Sequence, residues 1–318
     1  MSVPDSTYIG IDVAKLKFDF FVSREQRGVF SNDPAGIVDF VKFCKTFDAP
    51  CVVAEATGGY EKAVLNALFA AGIMCFQINP KKVKAFAQSE GINAKTDPID
   101  AKLLRDFALS KCSNPESCRK LLPYKKPDPA VQKLRSLCEV RTGLKTMQAH
   151  VAAQSEIPDA FKKSYLKRQK AFVEKELAKV EKDIAGHIGE NESLRLKNER
   201  MQTVKGVGVT LSATLLAYAP ELGSIENKVL CGLIGVAPYA KDSGAKEGKR
   251  RPRRGRQQIK KVLYMAAVSA SQHNPILKAF SQRLRDRGKP SMVTLVAVMR
   301  KLLCLLNNLI ANPDFSLA

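Results

Sequence analysis

Tyr8-Ile9-Gly10-Ile11-Asp12, followed after four intervening residues by Lys17-Phe18-Asp19-Phe20-Phe21-Val22, opens the chain on two apolar strand patterns. The first ends in a carboxylate, and the second alternates before running apolar, so the pair predicts a leading set of hairpin strands. Gly28-Val29-Phe30 predicts a short third strand. Asp33-Pro34 then starts a helix carrying Ile37, Val38, Phe40, Val41 and Phe43. Beyond it, Pro50–Ala54 and Met74–Ile78 read as buried strands. They alternate with helices over Gly59–Ala71, from Pro80, and from Thr96 to about Leu109. Hairpin strands followed by strand–helix alternation predict an α/β layer fold over residues 1–112.

The charge distribution divides the chain. Its 318 residues carry a formal net charge of +21, yet residues 1–110 hold equal numbers of basic and acidic residues. All of the excess lies in 111–318, which points to a neutral first domain joined to a part that binds a polyanion, nucleic acid above all. With 45% apolar and 26% charged residues the composition is that of a soluble globular protein. No segment approaches the roughly 18 uninterrupted apolar residues of a membrane span. The first seven residues lack the basic and apolar regions of a signal peptide. The expected location is therefore the cytoplasm, at the nucleoid, with no membrane partner. Eight scattered cysteines without a CxxC pair, and three histidines, argue against a zinc site.

Pro115, Pro123, Pro127 and Pro129 mark a linker within a middle region over 113–199. There Leu134, Leu137, Val140, Leu144, Met147 and Val151 recur at helical steps. Phe172, Val173, Leu177, Val180, Ile184 and Ile188 repeat the pattern after Pro158. Such stripes fit a helical hairpin packing on itself or an intermolecular coiled coil, and spacing alone leaves both open. Residues 200–318 read as a mainly helical domain, closed by apolar helices over Val262–Ser271 and Val293–Ile310. Thr203-Val204-Lys205-Gly206-Val207-Gly208 has the look of a helix-hairpin-helix turn whose amides would hold a phosphate. A plain packing joint fits the two glycines equally well.

Four carboxylates stand out in the neutral domain. Asp12 and Glu55 each close an apolar strand, where open α/β sheets place their ligands. Asp97 and Asp100 share one face of a helix opened by Thr96 and Pro98. Read blandly, the latter two favour the helix dipole or pair with Lys102 or Arg105. As a set, four acids suit hard, oxygen-seeking Mg²⁺, two ions of which can drive phosphodiester chemistry. Farther on, Ser243 precedes a run of cations: Lys249, Arg250, Arg251, Arg253, Arg254, Arg256 and Lys260. Those cations suit phosphates, whereas nothing beside Ser243 in sequence is a convincing base.

Gly10-Ile11-Asp12, Glu55-Ala56-Thr57-Gly58 and Lys95-Thr96-Asp97-Pro98-Ile99-Asp100-Ala101 together resemble the DEDD tetrad of bacterial insertion-sequence transposases with a RuvC-like nuclease domain. The pilin-gene-inverting recombinases belong to the same group. The resemblance spans nearly the whole chain. It implies an RNase H-like first domain, a helical connector and a C-terminal transposase domain, and with them Mg²⁺-dependent DNA cleavage and strand transfer. Gly232-Leu233-Ile234-Gly235-Val236-Ala237-Pro238 and Ser243-Gly244 match the family's serine segment, which implies that Ser243 attacks the DNA backbone. Many relatives carry paired serines and two glycines there, where this chain has Asp242-Ser243-Gly244-Ala245. The resemblance further implies donor and target DNA as substrates, an element-encoded guide RNA, and a dimer or tetramer. Three other readings compete less well. An actin-type ATP-dependent kinase would need a second glycine-rich phosphate loop. A junction-resolving nuclease with the same tetrad leaves Ser243 without a role. A non-catalytic nucleic-acid binder leaves Asp12 and Glu55 unexplained.

Overall fold

The computed structural model describes residues 7–91, 97–112, 117, 121, 123–156, 159–239, 251–252 and 255–315, with backbone alone at 97–99, 239 and 251. The chain divides into two units, Met1–Lys126 and Pro127–Ala318, and the division falls inside the proline-rich stretch.

In the first unit, β1 (Tyr8–Val13), β2 (Lys17–Phe21) and β3 (Arg27–Ser31) pair antiparallel in chain order. β4 (Cys51–Glu55) joins the free side of β1 in parallel, and β5 (Met74–Ile78) joins β4, also in parallel. The result is a mixed five-stranded sheet of order β3-β2-β1-β4-β5. Helices α1 (Pro34–Cys44), α2 (Lys62–Ala70), α3 (Pro80–Ser89) and α4 (Asp97–Cys112) complete the unit. Asp33 caps α1 by accepting from the Gly36 amide at 2.8 Å, as the Asp-Pro start predicts.

Side chains alternate across a strand, so the sheet has two distinct faces. Ile9, Ile11, Val13, Phe18, Val52 and Ala54 point to one face and pack with Phe40 of α1 and Leu65 and Leu68 of α2. Tyr8, Cys51, Val53, Phe76 and Ile78 point to the other and pack with Val83 of α3 and Leu103, Leu104 and Phe107 of α4. Gly10 sits on this second face under α4. A Cβ added there would overlap the carbonyl oxygen of Ala101 and stand 2.6 Å from the Arg105 amide nitrogen. Glycine at this position therefore lets α4 lie on β1 at backbone contact.

The second unit opens with α5 (Pro129–Ser155) and α6 (Ala160–Glu190). Arg141 meets Glu181 at 2.9 Å and His187 meets the Ala130 carbonyl at 2.7 Å, which sets the two helices antiparallel. The apolar stripes thus form a hairpin within one chain. Val140, Met147, Phe161, Tyr165 and Phe172 remain exposed on it. There follow α7 (Glu192–Gln202), α8 (Val209–Tyr218), α9 (Asn227–Ile234), the two-stranded β6 (Pro238–Tyr239) and β7 (Arg251–Pro252), α10 (Gln257–His273), α11 (Pro275–Asp286) and α12 (Ser291–Ala311). Leu134, Val180 and Ile188 of the hairpin share one core with Leu215, Leu263 and Leu302. No break in that core marks residue 200.

By length and composition α12 is apolar enough to cross a membrane. It carries Arg300 and Lys301, however, and buries Val298, Leu302, Leu303 and Leu306 in the core. Its Asn307 is buried too, accepting from the Gly223 amide at 2.8 Å and donating to the Ile225 carbonyl at 2.8 Å. These are the contacts of a core helix.

Cys231 of α9 and Cys304 of α12 are free thiols with their sulfurs 3.6 Å apart. The contact with Cys231, helped by the charge of Arg300, lowers the Cys304 thiol, while the same contact raises Cys231. Burial instead pushes Cys44 up to about 12 and Cys75 and Cys138 to about 11. The thiolate is the reactive form. At pH 8 iodoacetamide is therefore expected to label Cys304 ahead of Cys44, Cys75 and Cys138, read by peptide mass spectrometry. Earlier labelling of Cys44 would contradict this.

Candidate active site and nucleic-acid interface

The carboxylates collect by strand register. β1 and β4 run parallel with Ile11 opposite Ala54, so Asp12 and Glu55 are the next residues at the same carboxyl edge. The period of two puts both on the face covered by α4. Both are half-buried. Asp100 lies on the first turn of α4, one residue before the Ala101 carbonyl that meets Gly10. Asp97 begins the same helix, and its side chain lies outside the described residues. Gly10 thus brings the helix of Asp97 and Asp100 onto the strand of Asp12.

Three residues that spacing alone did not single out join this region. Asp19 of β2 stands directly opposite Asp12 of β1, is 7% exposed, and pairs with Lys17 at 3.5 Å. Its place in the alternating Lys17-Phe18-Asp19 pattern was the available signal. Arg105 of α4 lies over the Phe21 ring at 5.1 Å and pairs with Asp106 at 3.2 Å. Glu61 is 2% exposed in the turn after β4. Gly58 and Gly59 both take left-handed backbone angles there, and so the helix starts at Lys62 rather than Gly59.

Carboxylate oxygens are the donor chemistry a hard divalent cation prefers, and Asp12, Glu55 and the helix of Asp100 supply it on one face. Among the described residues, no group of three or more His, Cys, Asp or Glu side chains is close enough to hold a metal ion. Asp97, the fourth acid, contributes no described side chain.

In the second unit β6 and β7 pair Pro238 with Pro252 and Tyr239 with Arg251. Between and just after them, Ser243, Lys249, Arg250, Arg253 and Arg254 lie outside the described residues, as does the side chain of Arg251. The exit of this segment is anchored. A Cβ on Gly255 would overlap the Ile234 carbonyl and the Gly235 nitrogen, so the chain passes tight against the end of α9. Arg256 then donates to the Tyr218 carbonyl at 2.8 Å and, bidentate, to Glu221 at 2.7 and 2.6 Å. Burial works to raise the Glu221 carboxyl, but the Arg256 hydrogen bonds outweigh it and hold it below the usual range. Arg256, read from sequence as a phosphate ligand, has its guanidinium committed to this clasp. Lys260, half-buried, lines a cleft of about 580 Å³ with Tyr264, Met292, Val293 and Arg300.

At the predicted glycine turn, Gly206 has a φ of +100°, and an added Cβ would stand 2.6 Å from the Ala270 side chain. Gly206 is thus a packing joint against α10. Lys205 is exposed, and Gly208 caps α8 with open space where a side chain would be.

Residues 9–156 match a family model described as a transposase, of the DEDD IS110 type. Residues 198–282 match a second, described as the transposase IS116/IS110/IS902 family. The chain is similar to the pilin gene-inverting proteins of Moraxella lacunata and Moraxella bovis, each 27% identical over 308 residues that cover 93% of both chains. A 117-residue stretch is 27% identical to an uncharacterized 43.6 kDa protein of insertion element IS110 from Streptomyces coelicolor, covering 36% of this chain and 29% of that one. Two transposase models of one family, matched in order along the chain, and relatives matched over 93% of their length place this chain in the IS110 family of transposases and recombinases.

Proposed function

We propose that this protein cuts and rejoins DNA at the ends of an insertion element, using Asp12, Glu55, Asp97 and Asp100 as one acidic site and Ser243 as the nucleophile. The observation that carries the reading is the packing at Gly10. Register places Asp12 and Glu55 on the face that α4 covers, and α4 is the helix of the other two acids. The sheet order, with an antiparallel hairpin on one side of β1 and parallel strands on the other, supports an RNase H-like first domain.

The four carboxylates would hold divalent cations, two Mg²⁺ in this reading, and such ions supply charge stabilisation to a displacement at phosphorus. The chain's own groups account for the rest. The Ser243 oxygen attacks a backbone phosphorus, loses its proton, and displaces one DNA oxygen, which leaves as a hydroxyl. One phosphodiester is exchanged for another, so the bond energy is kept for rejoining. A hydroxyl from a second strand then attacks the phosphoserine and releases Ser243. Lys249, Arg250, Arg251, Arg253 and Arg254 would neutralise the phosphates in this step. Lys205, Gly208 and Lys260 would hold the duplex away from it. The Arg256 clasp keeps the segment's exit in place. Exchange at two ends calls for a dimer or tetramer, and an element-encoded RNA would select the sequences joined.

The test is a covalent trap. Purified protein with element-end DNA, co-purified RNA and Mg²⁺ should give a protein–DNA adduct that survives denaturing electrophoresis, and Ser243→Ala should give none. An adduct formed by Ser243→Ala would remove the serine role. Cleavage by the unaltered protein with no adduct would favour a hydrolytic, junction-resolving nuclease.

A further inference from the structure

Glu61 is a buried carboxylate held by amide donors. It accepts from the Thr57 amide at 3.2 Å, the Gly59 amide at 2.9 Å and the Gln77 side chain at 2.6 Å. The Thr57 hydroxyl lies 3.4 Å from the same carboxylate but only 3.1 Å from the Val13 carbonyl, and with one proton to give it serves the nearer acceptor. Burying a carboxylate is costly unless its oxygens are satisfied, and here they are, by two amides of the turn after β4 and a side chain of β5.

These partners belong to the strand ends that carry the acidic site. Thr57, two residues beyond Glu55, donates its hydroxyl to the carbonyl of Val13, which follows Asp12, and Gln77 lies on β5 opposite Ala54. A second brace runs alongside: the Asn32 side-chain amide donates to the Ala14 carbonyl at 2.9 Å and to the Tyr60 carbonyl at 3.3 Å. The turn after β4 is therefore tied to the end of β1 at two points, and Glu61 holds the inside of that turn.

We infer that Glu61 is a positioning residue that sets the separation of Asp12 and Glu55 and so the affinity of the acidic site for a divalent cation. The inference rests on the proposed metal role of those two carboxylates. Groups that orient metal ligands without touching the ion typically govern affinity by about 10- to 100-fold. Glu61→Gln keeps the size but turns one acceptor into a donor facing amide donors. Thr57→Val removes only the brace to Val13.

Mn²⁺ binding to the full chain, followed by calorimetry and by the paramagnetic resonance of free Mn²⁺, separates the possibilities. Glu61→Gln is expected to weaken Mn²⁺ binding about tenfold, and Thr57→Val, by loss of one hydrogen bond, about fivefold. DNA affinity should stay unchanged in both. The metal concentration for half-maximal DNA cleavage should rise by the same factors, with the maximal rate recovered at saturating metal. Wild-type Mn²⁺ affinity in both variants, with binding lost in Asp12→Ala, overturns the Glu61 role alone. Wild-type affinity in Asp12→Ala overturns the metal reading and the inference with it. Should Glu61→Gln fail to fold, Gln77→Met, which removes the 2.6 Å side-chain bond to Glu61, decides: a binding defect with an unshifted melting temperature supports positioning, and wild-type affinity overturns it.

Discussion

Gly10→Ala should displace α4 from β1 and abolish DNA cleavage. The added methyl would fall on the Ala101 carbonyl and crowd the Arg105 amide, both backbone atoms of α4. No rotamer change relieves such an overlap, so α4 has to move off β1. Overpacking of a well-filled interior costs about 1–3 kcal/mol, and contact with backbone on the far side puts this case at about 3 or above. Calorimetry should show the first unit melting about 10 °C lower. Function should suffer more than stability, because the helix being displaced is the one that carries Asp97 and Asp100. Gly143→Ala is the control. That glycine is exposed on α5 with nothing within reach of an added Cβ, so alanine there should stabilise by up to about 1 kcal/mol through helix propensity. A Gly10→Ala protein with unchanged melting and cleavage would disprove the packing account.

Asp12→Asn should lower the rate of strand cleavage by about a thousandfold or more while leaving the fold intact. A site that stabilises a phosphoryl displacement through bound cations contributes several kcal/mol, and each 1.4 kcal/mol is a factor of ten. Asparagine keeps the shape of a half-buried side chain at the strand end, so circular dichroism and melting should match the unaltered protein. DNA binding, measured by fluorescence anisotropy at fixed salt, should hold or tighten slightly, since one negative charge near the backbone is gone. Asp19→Asn, directly across the hairpin, tests locality. Asp19 already has Lys17 as partner, so its loss should cost far less. Cleavage within tenfold of normal in Asp12→Asn would sink the acidic-site assignment.

Much of this was readable from residues alone, for physical reasons. Strands β1 and β4 are buried on both faces, which leaves apolar runs that need no tertiary context to recognise. The carboxylates that close those runs, Asp12 and Glu55, stood out for the same reason. The mid-chain stripes predicted helices correctly, yet the choice between a self-packed hairpin and an intermolecular coil needed the Arg141–Glu181 and His187–Ala130 contacts. Glu61 was not legible, because its meaning comes from Val13, Asn32 and Gln77, distant in sequence. Arg256 was read as one of a cluster of phosphate ligands, since nothing local reveals that Glu221 lies waiting 35 residues upstream. The Gly206 joint was left open for a similar reason: its partner, Ala270, lies far along the chain.

The anchored exit at Gly255 and Arg256, with the Tyr239–Arg251 pairing, has an engineering consequence. A segment whose two ends are already held a strand-width apart has its closure entropy largely met by the scaffold, and doubling its length adds only about 0.6 kcal/mol. The stretch between those ends can therefore be exchanged for that of a relative as a cassette. The Glu221 clasp and the α9 seat act as the fixed socket that receives it.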